Sequence, residues 1–246
     1  MLSPRNVVVI YLRGASLPER AAIGDADRPP QESYGKTPAG EIFMGSVAFN
    51  GQSVRPGKVV CVGKNYAAHI EEMASVPAEN MVVFMKPATS IGTELFAALD
   101  EPLHYEGEIC LLMQGGEVAG VGFGLDLTKR DTQAKLKTAG LPWERSKAFT
   151  GSALFSEFAA APKDLSQLGV ELVVDHAVRQ KGDVNLMLYP PDVILKELNQ
   201  FLVLEDFDIV MTGTPAGVGA IQAGERFCGR VFHGEQELVS AEWLAQ

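Results

Sequence analysis

The chain is poor in several things, and each shortage removes a class of explanation. It has only three cysteines in 246 residues, Cys61, Cys110 and Cys228. They are widely spaced and odd in number, which is neither a disulfide framework nor a CxxC pair. Two of them lie in strand-like apolar runs, so they read as buried, reduced thiols of a cytoplasmic protein. Positive charge is short, 21 Lys and Arg against 31 Asp and Glu, giving a formal net charge of −10. That balance argues against nucleic acid or an anionic membrane as partner, while leaving room for a local basic site that holds a small anion. No apolar run reaches the length and purity of a membrane span. The opening MLSPRNVVVIYLRG has a short apolar stretch, but arginines flank it and β-branched residues fill it, so it reads as a first strand and not a signal peptide. There is no internal repeat, no low-complexity tract, no GxSxG elbow and no HExxH zinc motif.

What is present is a β-rich alternation with few helical stretches. Hydrophobic residues make up 46% of the chain, enough for a substantial core. The polar, Gly- and Pro-rich segment from Glu19 to Glu41 reads as a long loop. Residues 1–58 are therefore expected to form a small N-terminal β segment, with a turn at Phe49–Gln52, and residues 59–246 the main body. VVCVG (Val59–Gly63) reads as a buried strand, NYAAHIEEM as a short helix and VVFMKP as a further strand. Gly115-Gly116 joins LHYEGEICLLM to EVAGVGFGLDL as a hairpin. TKRDTQAKLKTAG has helical composition and stops at Gly140. VELVVDHAVRQKG reads as a second hairpin with Asp175-His176 at its tip, and PPDVILKELNQF as a proline-started helix. DFDIVMTGTPAGVG is a strand running into a glycine-rich loop. This balance predicts an α+β, β-rich fold with short peripheral helices, not a doubly wound sheet.

The stretch LHYEGEICLLM poses the chemical question. Glu106 and Glu108, two residues apart on a mostly apolar strand, project on one face and repel each other. Strict pairing through the Gly115-Gly116 turn sets Asp126 opposite Tyr105, on the other face. A bulge, or a strand that ends at Asp126, brings it round. Three convergent carboxylates make a hard-oxygen site for Mg²⁺ or Mn²⁺. The bland alternative is an exposed sheet face with Asp126 capping the next helix. His69 and Glu72, three apart, share a helix face as a general base and its orienter would, or as an ordinary surface pair would. Arg130 and Gln133 share another face and suit a carboxylate ligand, unless that helix is simply solvated. Lys147 sits among small and apolar residues and needs a partner, and Lys86 in FMKPATS is a weaker case. Thr212–Gly219 (TGTPAGVG) is neither a P-loop nor a dinucleotide fingerprint. It is a tight turn whose amides are able to bind an anion.

Taken in order, VVCVGKNYAAHIEEM, FMKPATSI, HYEGEICLLM, GLDLTKRDTQAKLKTAGLPWERSKAF and MTGTPAGVG resemble the fumarylacetoacetate hydrolase family over roughly Val59 to Phe232. The resemblance implies stacked and rolled mixed sheets, a homodimer, and Mg²⁺ or Mn²⁺ held by Glu106, Glu108 and Asp126. It places the family's catalytic pair on His69 and Glu72, in a segment acting as a lid, with Lys147 stabilising charge. Arg130, Gln133, Lys147 and Thr214 fall at positions that hold a 2-oxo acid. The FMKP, HYEGE and LPW patterns look like the short acylpyruvase branch. The expected activity is hydrolysis of a C–C bond in a 3-acylpyruvate-like β-diketo acid. The alternatives are a decarboxylase or keto–enol isomerase of an oxo-diacid such as oxaloacetate, and a silent oxo-acid-binding paralogue. Lys64, Ala148, Glu205–Asp208 and Asp175-His176 depart from the family pattern, and Lys64 bears on which substrate tail is accepted.

Overall fold

The computed structural model describes residues 45–73 and 80–246, all within one compact unit. The expected first strand and the Glu19–Glu41 loop lie outside the described residues. The part of the N-terminal segment that is described is a hairpin. Val47–Phe49 pairs antiparallel with Gln52–Val54 through Asn50 and Gly51, both at positive φ. Such a turn twists in the same sense as the strands it joins.

The main sheet has seven strands. Five of them run in the order Glu117–Asp126, Gly107–Gln114, Ile209–Met211, Lys58–Gly63, Val82–Pro87, with the short Ala159–Ala160 and Ala153–Phe155 both pairing to Glu117–Asp126. Every pair is antiparallel except Ile209–Met211 with Lys58–Gly63. A four-stranded antiparallel sheet packs on it, in the order Ala177–Asp183, Leu168–Val174, Arg226–His233, Gln236–Leu244. Alternation in the sequence sorts the core. Ile109, Leu111, Phe123 and Leu125 meet Leu172, Val174, Phe227 and Val231 between the sheets. Cys110, Leu112, Cys61 and Met211 face the other way, under Val47 and Phe49 of the hairpin. The only helices among the described residues are short: Ala67–Glu72, Arg130–Thr138, Glu144–Lys147 and Pro191–Leu198, with a few single 3₁₀ turns. The architecture is the β-rich α+β class, and no described helix is long and apolar enough to cross a membrane.

Two differences from the expected strands matter, because together they build the site. Leu103 to Met113 is not one strand. Leu103–Tyr105 belongs to a small sheet with Thr128–Lys129 and Gly219–Ala220, and the chain enters the main sheet only at Gly107. Glu106 is the corner between the two. The neighbouring strand changes sheets at the same level, leaving the main sheet at Asp126 and joining the small one at Thr128.

The second difference is the register. Gln114 and Met113 pair with Glu117 and Val118 as a two-residue turn dictates, but Leu112 pairs with Gly120. Ala119 is an extra residue, a β-bulge that shifts everything beyond it by one. Asp126 therefore lies opposite Glu106 and not Tyr105, and its N–H donates to the Glu106 carbonyl at 2.9 Å. A one-residue shift turns a side chain to the other face of the sheet. The bulge is what puts the third carboxylate with the other two.

Gly124 stands opposite Glu108 and lets Cys110 and Phe155 pack against its strand. A Cβ there would meet Cys110 Sγ at 2.5 Å and the Phe155 ring at 3.0 Å. Gly124→Ala is expected to lower unfolding free energy by about 1–3 kcal/mol through overpacking, measured by urea denaturation. Adding Cys110→Ala should recover part of the loss. Unchanged stability in the single variant would mean that this packing is not as tight as it looks.

Candidate active site

The corner where both strands change sheets holds Glu106, Glu108 and Asp126, all buried, with one oxygen of each within 4.8 Å of the others. They do not sit there uncompensated. The Lys147 ammonium donates to Glu106 Oε2 at 2.7 Å, Asp126 Oδ2 at 2.7 Å and Thr128 Oγ1 at 2.6 Å. Arg130 Nη2 donates to Glu106 Oε1 at 2.6 Å, and its Nη1 donates to Gln133 Oε1 at 3.0 Å. Lys86, fully buried, lies beneath with its Nζ 2.8 Å from Asp126 Oδ1. Its three protons, however, are directed to the Lys147 carbonyl and to the Ser152 carbonyl and hydroxyl. Asp126 Oδ1 is left buried and without an aligned donor.

Charge responds to this arrangement in opposite directions at adjacent residues. Burial alone would raise the Glu106 carboxyl, but Lys147 and Arg130 outweigh it and hold the group well below the usual carboxylate range. Burial, then the neighbouring Asp126 and Glu106, push the Glu108 carboxyl well up. Its one described donor is the Gly213 N–H, at 2.7 Å from Oε2. Lys147 is raised: burial opposes its charge, but Asp126 and Glu106 prevail. The donor set fits a divalent cation. It consists of hard oxygens only, one of them met by an ammonium but by no aligned hydrogen bond, and one carboxyl is raised by burial and its acidic neighbours.

The remaining expected residues face the same space. A cavity of about 270 Å³ is lined by the three carboxylates together with His69, Arg130, Gln133, Lys147 and Thr214. Glu72 stands behind His69, its Oε2 3.2 Å from His69 Nδ1. Its carboxylate accepts from the Gly217 N–H at 3.0 and 3.2 Å, so the glycine-rich loop fixes the pair from below. Gly217 has φ +104° and a Cβ there would lie 1.8 Å from the Arg179 carbonyl, so only glycine brings that amide to Glu72. Thr214 Oγ1 donates to the Gly107 carbonyl at 2.9 Å and accepts from Gln180 Nε2 at 2.7 Å.

Four contributors carry no signal readable from the chain alone. Gln180 crosses from the second sheet to bind Gly107 N–H, Thr214 and the Pro215 carbonyl, a role without periodicity or motif. Asn65 ties the Tyr189 and Thr212 backbones together. Phe84 and Trp143 wall the cavity. Cys61 and Cys110 are buried free thiols, pushed far up by burial, and take no part.

With the geometry established, the likenesses to known proteins are specific. Residues 58–242 match the family described as fumarylacetoacetate (FAA) hydrolase C-terminal. Oxaloacetate tautomerase YcgM of Escherichia coli K12 is 39% identical over 187 residues, covering 68% of this chain and 85% of that protein. The mitochondrial oxaloacetate tautomerase FAHD1 of Homo sapiens is 35% identical over 184 residues, with 68% and 83% covered. Among solved structures, fumarylpyruvate hydrolase from Pseudomonas aeruginosa, in complex with Mn²⁺ and pyruvate, superposes with a TM-score of 0.73 at 31% identity. That match covers 82% of this chain and 96% of the other.

Two outcomes follow from the charges. Burial and the neighbouring carboxylates raise Glu108, so it binds its proton more tightly in the folded protein than in the unfolded chain. Its contribution to stability is therefore full at low pH and is lost as pH rises through the unfolded and then the folded value. A cation competes with that proton for the carboxylate. Mn²⁺ affinity, followed by titration across a pH series, should rise with pH; an affinity independent of pH would contradict this. Separately, Lys147→Met strips the ammonium from two buried carboxylates. It should cost about 3–5 kcal/mol in metal-free protein, with part of the loss recovered on adding Mn²⁺ in a thermal melt.

Proposed function

The chain belongs to the fumarylacetoacetate hydrolase family and is an enzyme of it; from that premise we propose that it interconverts the enol and keto forms of oxaloacetate with a divalent metal, Mg²⁺ or Mn²⁺, in the carboxylate corner. The observation that carries the reading is a single small cavity onto which the acid cluster, the anion-holding side chains and the His69–Glu72 pair all converge. About 270 Å³ falls just below the roughly 300–1,000 Å³ of drug-sized pockets and suits a molecule of a few carbons. The tautomerase relatives favour proton transfer over the C–C hydrolysis expected from the sequence patterns.

Tautomerisation moves one proton between C3 and the oxygen on C2. Leaving C3, the C–H electron pair becomes the C2–C3 double bond while the carbonyl pair shifts to oxygen; the reverse sequence makes the keto form. A dication held by Glu106, Glu108 and Asp126 would polarise the 2-oxo group as a Lewis acid and so acidify C3. His69 has its Nδ1 turned to Glu72, which leaves Nε2 for the cavity and the moving proton. Glu72, pinned by Gly217, keeps the ring in that orientation. Arg130 and Gln133 take the 2-oxo acid's carboxylate, and Lys147 stabilises the charge that grows on oxygen.

A second reading has its own support. The fumarylpyruvate hydrolase from P. aeruginosa, structurally close, is a hydrolase that binds Mn²⁺ and pyruvate. In that chemistry His69 would deprotonate a water, and the departing carbon would leave as the enolate of pyruvate. A homodimer, and a cytoplasmic setting for the reduced cysteines, belong to the same proposal.

The test follows the decay of enol-oxaloacetate by ultraviolet absorbance, beside pyruvate release from fumarylpyruvate and acetylpyruvate. Purified enzyme with Mg²⁺ or Mn²⁺ should speed ketonisation without consuming the oxaloacetate. His69→Ala should slow it about 10²–10⁴-fold, the usual worth of a general acid–base group. Pyruvate release with no effect on enol decay would establish the hydrolase instead.

A further inference from the structure

Lys86 is the one buried side chain of the strand Val82–Pro87, and it is fully enclosed. Its ammonium closes a ring of contacts. It donates to the Lys147 carbonyl, to the Ser152 carbonyl at 3.0 Å and to the Ser152 hydroxyl at 3.1 Å. The Ser152 hydroxyl in turn donates to the Lys147 carbonyl at 2.8 Å. The Ser152 carbonyl also accepts from the N–H of Leu127, the residue after Asp126, at 2.9 Å. One buried ammonium thus braces the main chain on both sides of the corner. It reaches Lys147, whose own ammonium bridges Glu106 and Asp126, and through Ser152 it reaches Leu127.

Bracing alone does not call for a charge. The three acceptors are neutral, and a neutral donor would serve them without the desolvation cost of a buried ammonium. Among the described residues, the carboxylate within ion-pair distance of Lys86 is that of Asp126, with Oδ1 2.8 Å from Nζ. The two oxygens of Asp126 are thereby told apart. Oδ1 is buried against Lys86. Oδ2 is turned to Glu106, since the Lys147 ammonium spans Oδ2 and Glu106 Oε2 at 2.7 Å each.

We propose that Lys86 is a positioning residue of the carboxylate corner: it holds Asp126 Oδ1 back, so that this carboxylate meets a cation with Oδ2 alone. The inference rests on the divalent cation proposed for the corner, and not on which reaction of the oxo acid that cation serves. Its consequence is metal selection. Ca²⁺ takes roughly six to eight oxygens and readily uses both oxygens of one carboxylate, whereas Mg²⁺ demands a near-octahedral shell. An Asp126 restricted to one oxygen disfavours the larger ion.

The experiment is a calorimetric titration of wild type, Lys86→Met and Lys86→Gln with Mn²⁺ and with Ca²⁺. Wild type should bind Mn²⁺ more tightly. In both variants the ratio of the two dissociation constants should move toward Ca²⁺ by about tenfold, the low end of what groups behind metal ligands contribute. Lys86→Gln keeps a neutral donor for the carbonyls, so it should stay closer to wild type in urea denaturation without restoring the ratio. A corner that is merely loosened weakens both ions alike, and an unshifted ratio overturns the proposal. Crystals of the wild type grown with Mn²⁺ test it without any variant. Asp126 should meet the ion through Oδ2 with Lys86 still on Oδ1, and both oxygens on the ion would overturn it. Wild type that binds neither ion removes the cation reading and this inference with it, whereas Mn²⁺ binding with an unshifted ratio sinks the inference alone.

Discussion

Everything in this structure turns on how three carboxylates are kept together in a buried corner. Isolated charges of that kind would be neutralised or expelled. Lys147 bridges Glu106 and Asp126, Arg130 takes the other oxygen of Glu106 from the cavity side, and Lys86 lies underneath Asp126. The compensation is incomplete: Asp126 Oδ1 has no aligned donor and Glu108 is pushed toward its neutral form. That residual imbalance is the physical room for a dication. It also explains why an acidic protein needs a local set of cations, since the same side chains that hold the acids are those facing an anionic substrate.

The fold supplies the corner by making two neighbouring strands change sheets at one level. The Ala119 bulge sets the register, Glu106 marks the bend, and Gly124 lets Cys110 and Phe155 close against the strand opposite Glu108. The glycine-rich loop then serves two ends of the site at once. Gly213 gives its N–H to Glu108, and Gly217 gives its N–H to Glu72 behind the histidine. The acid cluster and the His69–Glu72 pair are thus referred to a single loop, which fixes the distance between them without any long side chain.

Much of this was legible in the chain, and the limits have definite causes. The two hairpins, the helix that stops before Gly140 and the proline-started helix follow from turn residues and periodicity that act locally. The family resemblance named the acid cluster, but pairing arithmetic alone put Asp126 on the wrong face, because a bulge at Ala119 leaves no mark in composition. Leu103–Met113 looked like one strand because a change of sheet at Glu106 preserves the alternation on either side of it. Lys86 looked like a charge in need of a partner, yet the partner, Asp126, lies far along the chain. Gln180 and Asn65 were invisible for a related reason: their work is to satisfy backbone groups brought near by tertiary packing, and no local pattern encodes that. The preference for a tautomerase came from whole-chain likeness, since the cavity's chemistry accommodates either proton transfer or hydrolysis.

The central claim is that one dication, held by Glu106, Glu108 and Asp126, also binds the 2-oxo acid directly. Electron paramagnetic resonance of Mn²⁺-loaded protein with oxalate labelled in ¹⁷O tests it most directly. Line broadening on adding the labelled ligand, absent with unlabelled oxalate and absent in a Glu108→Gln protein, is the predicted result. Mn²⁺ signals from the wild-type protein that ignore the label would contradict the account.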